Sequence, residues 1–126
     1  MTNIPLNTIG IDHIVLHVRD PEISKAFYIN VLKMTLDHEY QGHVFMKCGT
    51  QSVGLFKARE ADKFSPRHDV NHLALNVSGG NYDSIRGHLE AAGIKVIGRP
   101  DDQKCIYFND PDGHMLQIVV PDEIAQ

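Results

Sequence analysis

Two histidines that can bind a metal ion occur at matching places in the two halves of this chain, and a glutamine near its end is a candidate third ligand. His13 and His72 each lie near the start of a segment of alternating apolar residues, at the same phase of the alternation. Neutral imidazole is a good ligand for borderline divalent metals. The last alternating segment offers Gln117, whose uncharged amide oxygen is a weaker ligand than a carboxylate and is alternatively only a polar lining residue. Such a trio would support Lewis-acid chemistry at a divalent ion.

The two histidines belong to segments that repeat each other. Residues 11–18 read IDHIVLHV and residues 70–77 read VNHLALNV. Alternation of this kind predicts a β-strand with two distinct faces. A lone inward histidine is more often a packed core residue than a ligand, so the repetition is what favours metal binding.

The elements that follow each opening strand also repeat. Residues 21–32 and 82–92 carry apolar side chains at helical spacing, and Gly93 is a typical residue to end the second helix. Three short extended segments follow each helix, at 35–40, 43–47 and 51–57 in the first half and at 94–98, 105–109 and 114–120 in the second. The order βαβββ is therefore predicted twice.

This repetition predicts an α+β fold in which two βαβββ modules form a curved eight-stranded cup. We expect one domain over residues 1–126, with module one at about 9–58, a polar linker at 59–69 and module two at about 70–121. The inner faces of equivalent strands meet in such a cup, so His13 and His72 are expected to face each other inside it.

The remaining histidines and the cysteines have weaker claims to a function. His17 lies on the same strand face as His13 and is a candidate acid–base residue, a partner that orients a ligand, or simply an edge histidine. Cys48 and Cys105 form no CxxC motif and are expected to be buried, reduced thiols. Four histidines are expected at the surface or in packing: His43, His68, His88 and His114.

Composition excludes several functions and limits the location. The formal charge of −4 leaves no broad basic surface for nucleic acid. The longest apolar stretch, residues 116–120, is far shorter than the roughly 20 residues that a membrane-spanning helix needs. Residues 1–7 lack the positive charge and apolar core of a signal peptide. We therefore expect a cytoplasmic protein that binds neither nucleic acid nor membrane.

Three stretches resemble the vicinal oxygen chelate superfamily. They are IDHIVLHVRDPEISKAFYINVLKM at residues 11–34, VNHLALNV at 70–77 and YFNDPDGHMLQIVV at 107–120. That superfamily includes glyoxalase I, the fosfomycin-resistance enzymes, extradiol dioxygenases and the bleomycin-resistance binding proteins. The resemblance covers nearly the whole chain and implies the glyoxalase/bleomycin-resistance/dioxygenase-like fold of paired modules.

The resemblance also implies a ligand set. In the fosfomycin-resistance branch two histidines and a glutamate hold a divalent metal, at the positions that match His13, His72 and Gln117, so this chain has an amide where a carboxylate is usual. Tyr107 matches a tyrosine that touches the substrate in those enzymes. The implied cofactor is one divalent ion: Mn²⁺, Ni²⁺, Zn²⁺, Mg²⁺ or Fe²⁺. Family members of this size often pair modules across two chains, which implies a homodimer with a site shared between the chains.

Three functions are consistent with these residues and the resemblance. The first hypothesis is a metal-dependent enzyme acting on a small substrate with vicinal oxygens, as a lyase, an isomerase or an epoxide-opening transferase. The second is a metal-free protein that sequesters a small molecule or drug in the same cup. The third is an Fe²⁺ extradiol dioxygenase, which would normally need a carboxylate beside two histidines. Candidate cations at the cavity mouth are Arg19, Arg99 and Lys104.

Overall fold

The first half of the chain folds as a complete βαβββ module. The computed structural model describes residues 6–59, 70–98 and 101–122. The module consists of β1 (His13–Val18), α1 (Pro21–Asn30), β2 (Thr35–Tyr40), β3 (His43–Cys48) and β4 (Gln51–Lys57). Its strands form one sheet in the order β1-β4-β3-β2, in which β1 is parallel to β4 and the other pairs are antiparallel. Of the predicted linker, only Arg59 falls within the described residues.

The second half repeats this arrangement. It consists of β5 (Leu73–Asn76), α2 (Tyr82–Ala91), β6 (Cys105–Asn109) and β7 (Met115–Val119). These strands form a sheet in the order β5-β7-β6, and the opening strand β5 is again parallel to the final strand β7. The α+β fold with a duplicated element order is therefore confirmed.

The strand predicted at residues 94–98 is reduced to a single β-bridge. Ile97 and Tyr107 exchange two backbone hydrogen bonds of 2.6 and 3.0 Å, and no other residue of 94–98 joins this ladder. Pro100 has no N–H group, so the sequence itself limits how far antiparallel pairing can extend beyond this point. The described residues thus contain seven strands rather than the predicted eight.

Local sequence signals set the ends of both ten-residue helices. At α1 the Asp20 side chain accepts a hydrogen bond from the Glu22 backbone, and Pro21 occupies the first turn, where its missing N–H is tolerated. At α2 Asn81 forms a reciprocal capping box with the residue three positions on, and Gly93 ends the helix with a φ of +81°. Within the described ranges, no helix has the length and apolar character needed to cross a membrane.

Each sheet has one buried face and one open face. Leu16 and Val18 of β1 and Leu75 of β5 are buried, whereas the residues that alternate with them along each strand are more exposed. The buried residues of both sheets, with Tyr28 of α1 and Leu89 of α2, belong to one hydrophobic core. Because both sheets share this core, their open faces point away from it.

A buried acidic turn ties the second module to the first. Asp110 and Asp112 follow β6 and are nearly fully buried. Asp110 Oδ2 accepts a 2.8 Å hydrogen bond from the Tyr28 hydroxyl, and Asp112 Oδ2 accepts one of 3.0 Å from the Ser24 hydroxyl. Asp112 Oδ1 also accepts a 2.7 Å bond from the backbone N–H of Arg19. Charge-assisted hydrogen bonds therefore fix how the two modules are joined.

Candidate metal site

The ring of His13 is held at the start of β1 by the residue before it. His13 Nδ1 lies 2.7 Å from Asp12 Oδ2, and the side chain of His13 remains 47% exposed. A carboxylate beside Nδ1 favours the tautomer with a proton on that nitrogen. The other nitrogen, Nε2, then keeps its lone pair for a ligand.

The ring of His72 is held in the same way at the start of β5. His72 Nδ1 lies 2.8 Å from Asn71 Oδ1, and Asn71 precedes it just as Asp12 precedes His13. An amide oxygen can only accept, so Nδ1 must donate and Nε2 is again the free nitrogen. The repeat therefore extends from the histidines to the oxygen atoms that orient them.

Gln117 is buried, and it lies on the face of the second sheet that carries His72, paired in register with Ala74 of β5. It is paired in register with Tyr107, whose ring meets the His72 ring edge to face at a centroid distance of 5.7 Å. Gln117 Nε2 donates a 3.1 Å hydrogen bond to Cys105 Sγ, which leaves Oε1 as the atom available to a ligand. The structure thus brings together His72, Tyr107, Gln117 and Cys105.

The described contacts of His13 are with residues of the first module. Its ring packs against Phe45 of β3, at a centroid distance of 6.2 Å, on the open face of the first sheet. Among the described residues, no cluster of three or more histidine, cysteine, aspartate or glutamate side chains could hold a metal ion. The convergence of His13, His72 and Gln117 on one ion, within one chain or between two, therefore stays a prediction.

The donor set itself fits a divalent ion. Two imidazole nitrogens with orienting acceptors are good ligands, an amide oxygen is a weaker third one, and together they leave further coordination positions for a substrate. Gly54 of β4, which is paired in register with Val15 and Phe45, offers no ligand side chain on this face. A Cβ atom there would lie 3.1 Å from Phe56, 3.2 Å from Val15 and 3.3 Å from Phe45, all side-chain atoms. Apolar groups therefore occupy the space around Gly54.

Of the predicted catalytic pair, Tyr107 lies with the second-sheet ligands and His17 does not lie beside His13. His17 is four residues further along β1 on the same open face, which corresponds to about 13 Å. Its backbone carbonyl accepts a 2.7 Å hydrogen bond from the His114 ring. The contacts of His17 favour the edge-histidine interpretation, and its acid–base role stays a prediction.

Of the histidines expected in packing, two link the modules and one packs within the first module. His114 reaches β1 as described, and His88 Nε2 lies 2.7 Å from the Val31 carbonyl oxygen. His43 stacks on Phe56 at a centroid distance of 3.9 Å. His68 lies outside the described residues.

Two of the expected cavity cations are engaged elsewhere. The Arg19 guanidinium lies 3.4 Å from Asp112 in the turn that joins the modules, and Lys104 Nζ lies 3.0 Å from Asp122. Asp112 and Asp122 lie far along the chain from the cations that they contact, so the sequence next to either cation does not reveal its partner. Arg99 lies outside the described residues.

Sequence reasoning missed the roles of Cys105 and Phe45. Cys105 was expected to be a buried, reduced thiol, but it is half-buried, and its sulfur accepts a hydrogen bond from the candidate ligand Gln117. Strand alternation was the available signal, because Cys105 lies two residues before Tyr107 and so shares its face. Phe45 was detectable in the same way, as the residue between the core positions Val44 and Met46.

Two grooves of a single chain lie away from the candidate ligands. One, of about 510 Å³, runs between the modules and is lined by Cys48, Leu75 and His88 among others. The other, of about 630 Å³, lies at the start of α2 and is lined by Tyr82 and Lys104 among others. Neither includes His13, His72 or Gln117.

Comparison with known proteins gives consistent matches along most of the chain. The family model of the Glyoxalase/Bleomycin resistance protein/Dioxygenase superfamily matches residues 10–118. The chain is 29% identical over 114 residues to glutathione transferase FosA of Serratia marcescens, covering 88% of this chain and 80% of that protein. It is 31% identical over 116 residues to metallothiol transferase FosB of Lysinibacillus sphaericus, covering 86% and 79%. The crystal structure of fosfomycin resistance protein FosX from Mesorhizobium loti superposes with a TM-score of 0.73 at 22% identity, covering 92% of this chain and 95% of that one.

Proposed function

Because this chain belongs to the Glyoxalase/Bleomycin resistance protein/Dioxygenase superfamily, we propose that it is a divalent-metal-dependent enzyme acting on a small substrate with two neighbouring oxygen atoms. The proposed reaction is of the lyase, isomerase or epoxide-opening transferase type. Relatives that are named as a glutathione transferase and a metallothiol transferase support this class over oxygen activation. The proposed ligands are His13, His72 and Gln117.

One observation carries the metal proposal. Asp12 and Asn71 place a hydrogen-bond acceptor beside Nδ1 of the two histidines, at 2.7 and 2.8 Å. Metal-binding histidines almost always use one ring nitrogen in this way, which orients the ring and frees the other nitrogen. The same arrangement also occurs at His38 with Asp37, so the support for a metal lies in its recurrence at the same position of the two opening strands.

We propose that two copies of the chain complete each site. The open faces that carry His13 and His72 point away from the shared core of one chain, which favours a second copy as the partner that completes each site. Among the strands that the structure describes, β1 and β5 each lie at the edge of a sheet, where a partner can cover them. A homodimer would then contain two equivalent sites.

The chain's own residues have distinct tasks in this proposal. A bound divalent ion would supply Lewis acidity to the two substrate oxygens. Asp12 and Asn71 keep the ligand nitrogens aligned, and Tyr107 offers its hydroxyl next to His72 as a hydrogen-bond donor to substrate. Gln117 contributes an oxygen without charge, which leaves more of the positive charge of the ion to act on the substrate.

Subunit complementation tests both parts of the proposal. Protein with non-histidine tags is purified as wild type, as His13→Ala, as His72→Ala and as the mixed dimer of the two variants. Metal content is then measured after loading with Mn²⁺. We expect each variant alone to lose its metal, and the mixed dimer to recover half of the wild-type content, because one of its two sites is intact.

His38→Ala is the matched control, because His38 Nδ1 also lies near an aspartate, at 2.9 Å from Asp37, but on β2. It should retain the wild-type metal content. Equal metal in all variants would disprove the metal site and favour a binding protein without a metal. Loss in both variants without recovery in the mixed dimer would contradict the sharing of the site between chains.

A further inference from the structure

The groove of about 510 Å³ between the two modules is separate from the candidate metal ligands. We infer that this inter-module groove is a second binding site, and that its ligand is a small monocarboxylate with a hydrocarbon chain. The volume falls within the range of roughly 300–1,000 Å³ that is typical of small-molecule sites. The proposed function gives this groove no role, so the inference does not depend on a bound ion.

The floor of the inter-module groove reaches the hydrophobic core. It includes Met34 of the first module and Leu75, Leu89 and Ile118 of the second, and all four are buried core residues. A polar molecule placed on such a floor would give up hydrogen bonds to water without replacing them. The floor therefore favours a ligand whose body is a hydrocarbon.

The walls of the groove are also apolar. Leu32, just after α1, lies on the side of the first module, and Val77 and Ile85 lie on the side of the second. These three side chains are half-buried and pack against the core, so each still has apolar surface in contact with water. Covering that surface with a hydrocarbon chain is favourable by about 25 cal/mol per Å².

A hydrogen bond between the modules holds the groove open before any ligand binds. His88 of α2 lines the groove, and its Nε2 lies 2.7 Å from the carbonyl oxygen of Val31, the residue after α1. A carbonyl oxygen can only accept, so Nε2 donates. Because this bond joins one wall to the other, a ligand enters a site that is already formed and avoids the cost of ordering it.

Lys33 supplies a positive charge at the groove. It follows α1 directly after Leu32 and is one of the lining residues. Lys47 also borders the groove, but its neighbours Met46 and Cys48 pack toward the core, so alternation places the Lys47 side chain on the other face of β3. An ammonium group beside an apolar groove is complementary to one carboxylate on a hydrocarbon chain.

The two cysteines give a local readout of binding. Cys48 lines the groove, where burial raises the pKa of its thiol, whereas Cys105 lies beside Gln117. The rate at which iodoacetamide alkylates each cysteine is measured by peptide mass spectrometry while octanoate is added. We expect alkylation of Cys48 to slow by about tenfold when nine-tenths of the grooves are occupied, and alkylation of Cys105 to stay unchanged. Equal slowing at both cysteines would overturn the inference.

Two further probes separate the head of the ligand from its chain. Acetate has the carboxylate without the chain, and any effect of a carboxylate on a bound ion is common to acetate and octanoate. The other probe, 1-octanol, has the chain without the charge. We expect acetate to leave Cys48 unprotected and 1-octanol to protect it only at higher concentrations than octanoate. Protection by acetate at the same concentration as octanoate, or by 1-octanol at a lower one, would contradict the proposed ligand class.

Lys33→Gly tests the role of the charge without disturbing the fold. Lys33 has a φ of +60°, which glycine adopts at no steric cost, so the variant keeps the backbone and loses the ammonium group. Its affinity for octanoate should fall by about two- to fivefold, and its affinity for 1-octanol should not change. Lys47→Ala removes the same charge from the other face of β3 and should have a smaller effect. Equal effects of the two variants on octanoate, or none from Lys33→Gly, would refute the carboxylate assignment.

Discussion

The hydroxyl of Tyr28 donates a 2.8 Å hydrogen bond to Asp110 Oδ2 across the boundary between the two modules. Both side chains are buried. Burial raises the pKa of Asp110 above its ordinary value of 3.8 and, more strongly, raises the pKa of Tyr28. The hydrogen bond therefore offsets part of the free-energy cost of removing the Asp110 carboxylate from water. Because it joins the two modules, the stability of both depends on it.

Removing the Tyr28 hydroxyl should weaken the whole domain. Tyr28→Phe leaves Asp110 Oδ2 buried without its donor, which should lower the free energy of unfolding by about 1–3 kcal/mol. Urea unfolding followed by circular dichroism measures this change. Tyr40→Phe on β2 removes the hydroxyl of a tyrosine that is 63% exposed and should change little. Equal stability of wild type and Tyr28→Phe would contradict the compensating role.

Asp110 should give stability a specific dependence on pH. A carboxyl group with a raised folded-state pKa binds its proton more tightly when folded. Its contribution is therefore fully present below pH 3.8 and is lost as the pH rises through the raised folded value. The free energy of unfolding of the wild type, minus that of Asp110→Asn, should therefore fall as the pH rises above 3.8. Unfolding measured at a series of pH values checks this slope, and a difference that does not vary with pH would refute it.

Restoring a carboxylate at position 117 should strengthen metal binding. Gln117→Glu adds a negative charge at the candidate ligand atom, so Mn²⁺ affinity should rise by about tenfold or more. Electron paramagnetic resonance of free Mn²⁺ during titration measures it. Gln103→Glu makes the same charge change in the loop before β6 and should have a much smaller effect. A similar gain from both variants would show only a general effect of charge.

Cys105 should position Gln117 rather than bind the metal. Cys105→Ala removes the acceptor of the Gln117 N–H bond, so Mn²⁺ affinity should fall by roughly three- to tenfold, and Cys105→Ser should restore most of it. Cys48→Ala, which removes the other thiol, should leave the affinity unchanged. Co²⁺-loaded wild type should lack an intense thiolate-to-cobalt absorption. Detecting that band would make Cys105 a ligand instead.

Much of the site follows from alternation along strands. The phase of His13 in β1 and of Gln117 opposite Tyr107 is visible in the sequence, because apolar residues on one face identify the other. The acceptors Asp12 and Asn71 are adjacent in sequence to the histidines, so local pattern includes them too. What alternation predicts is the face of a strand on which a side chain lies.

Alternation does not predict which surface each face meets. Asp112 engages Arg19 from 93 residues away, so an arginine expected at the cavity mouth lies instead at the module boundary. Alternation also does not show whether the two histidines of one site belong to the same chain or to two chains. The phase of His13 and His72 along their strands is the same in both cases. The missing eighth strand depends on Ile97 having only one paired position, which apolar spacing in 94–98 does not reveal.

The outward direction of the two open faces has a thermodynamic consequence under the proposed pairing. Ion binding and subunit association would be linked equilibria, so dilution of the protein should release metal, and added metal should tighten the pair by the same factor. The cellular concentration of the chain would then set its metal occupancy as much as the supply of the ion does.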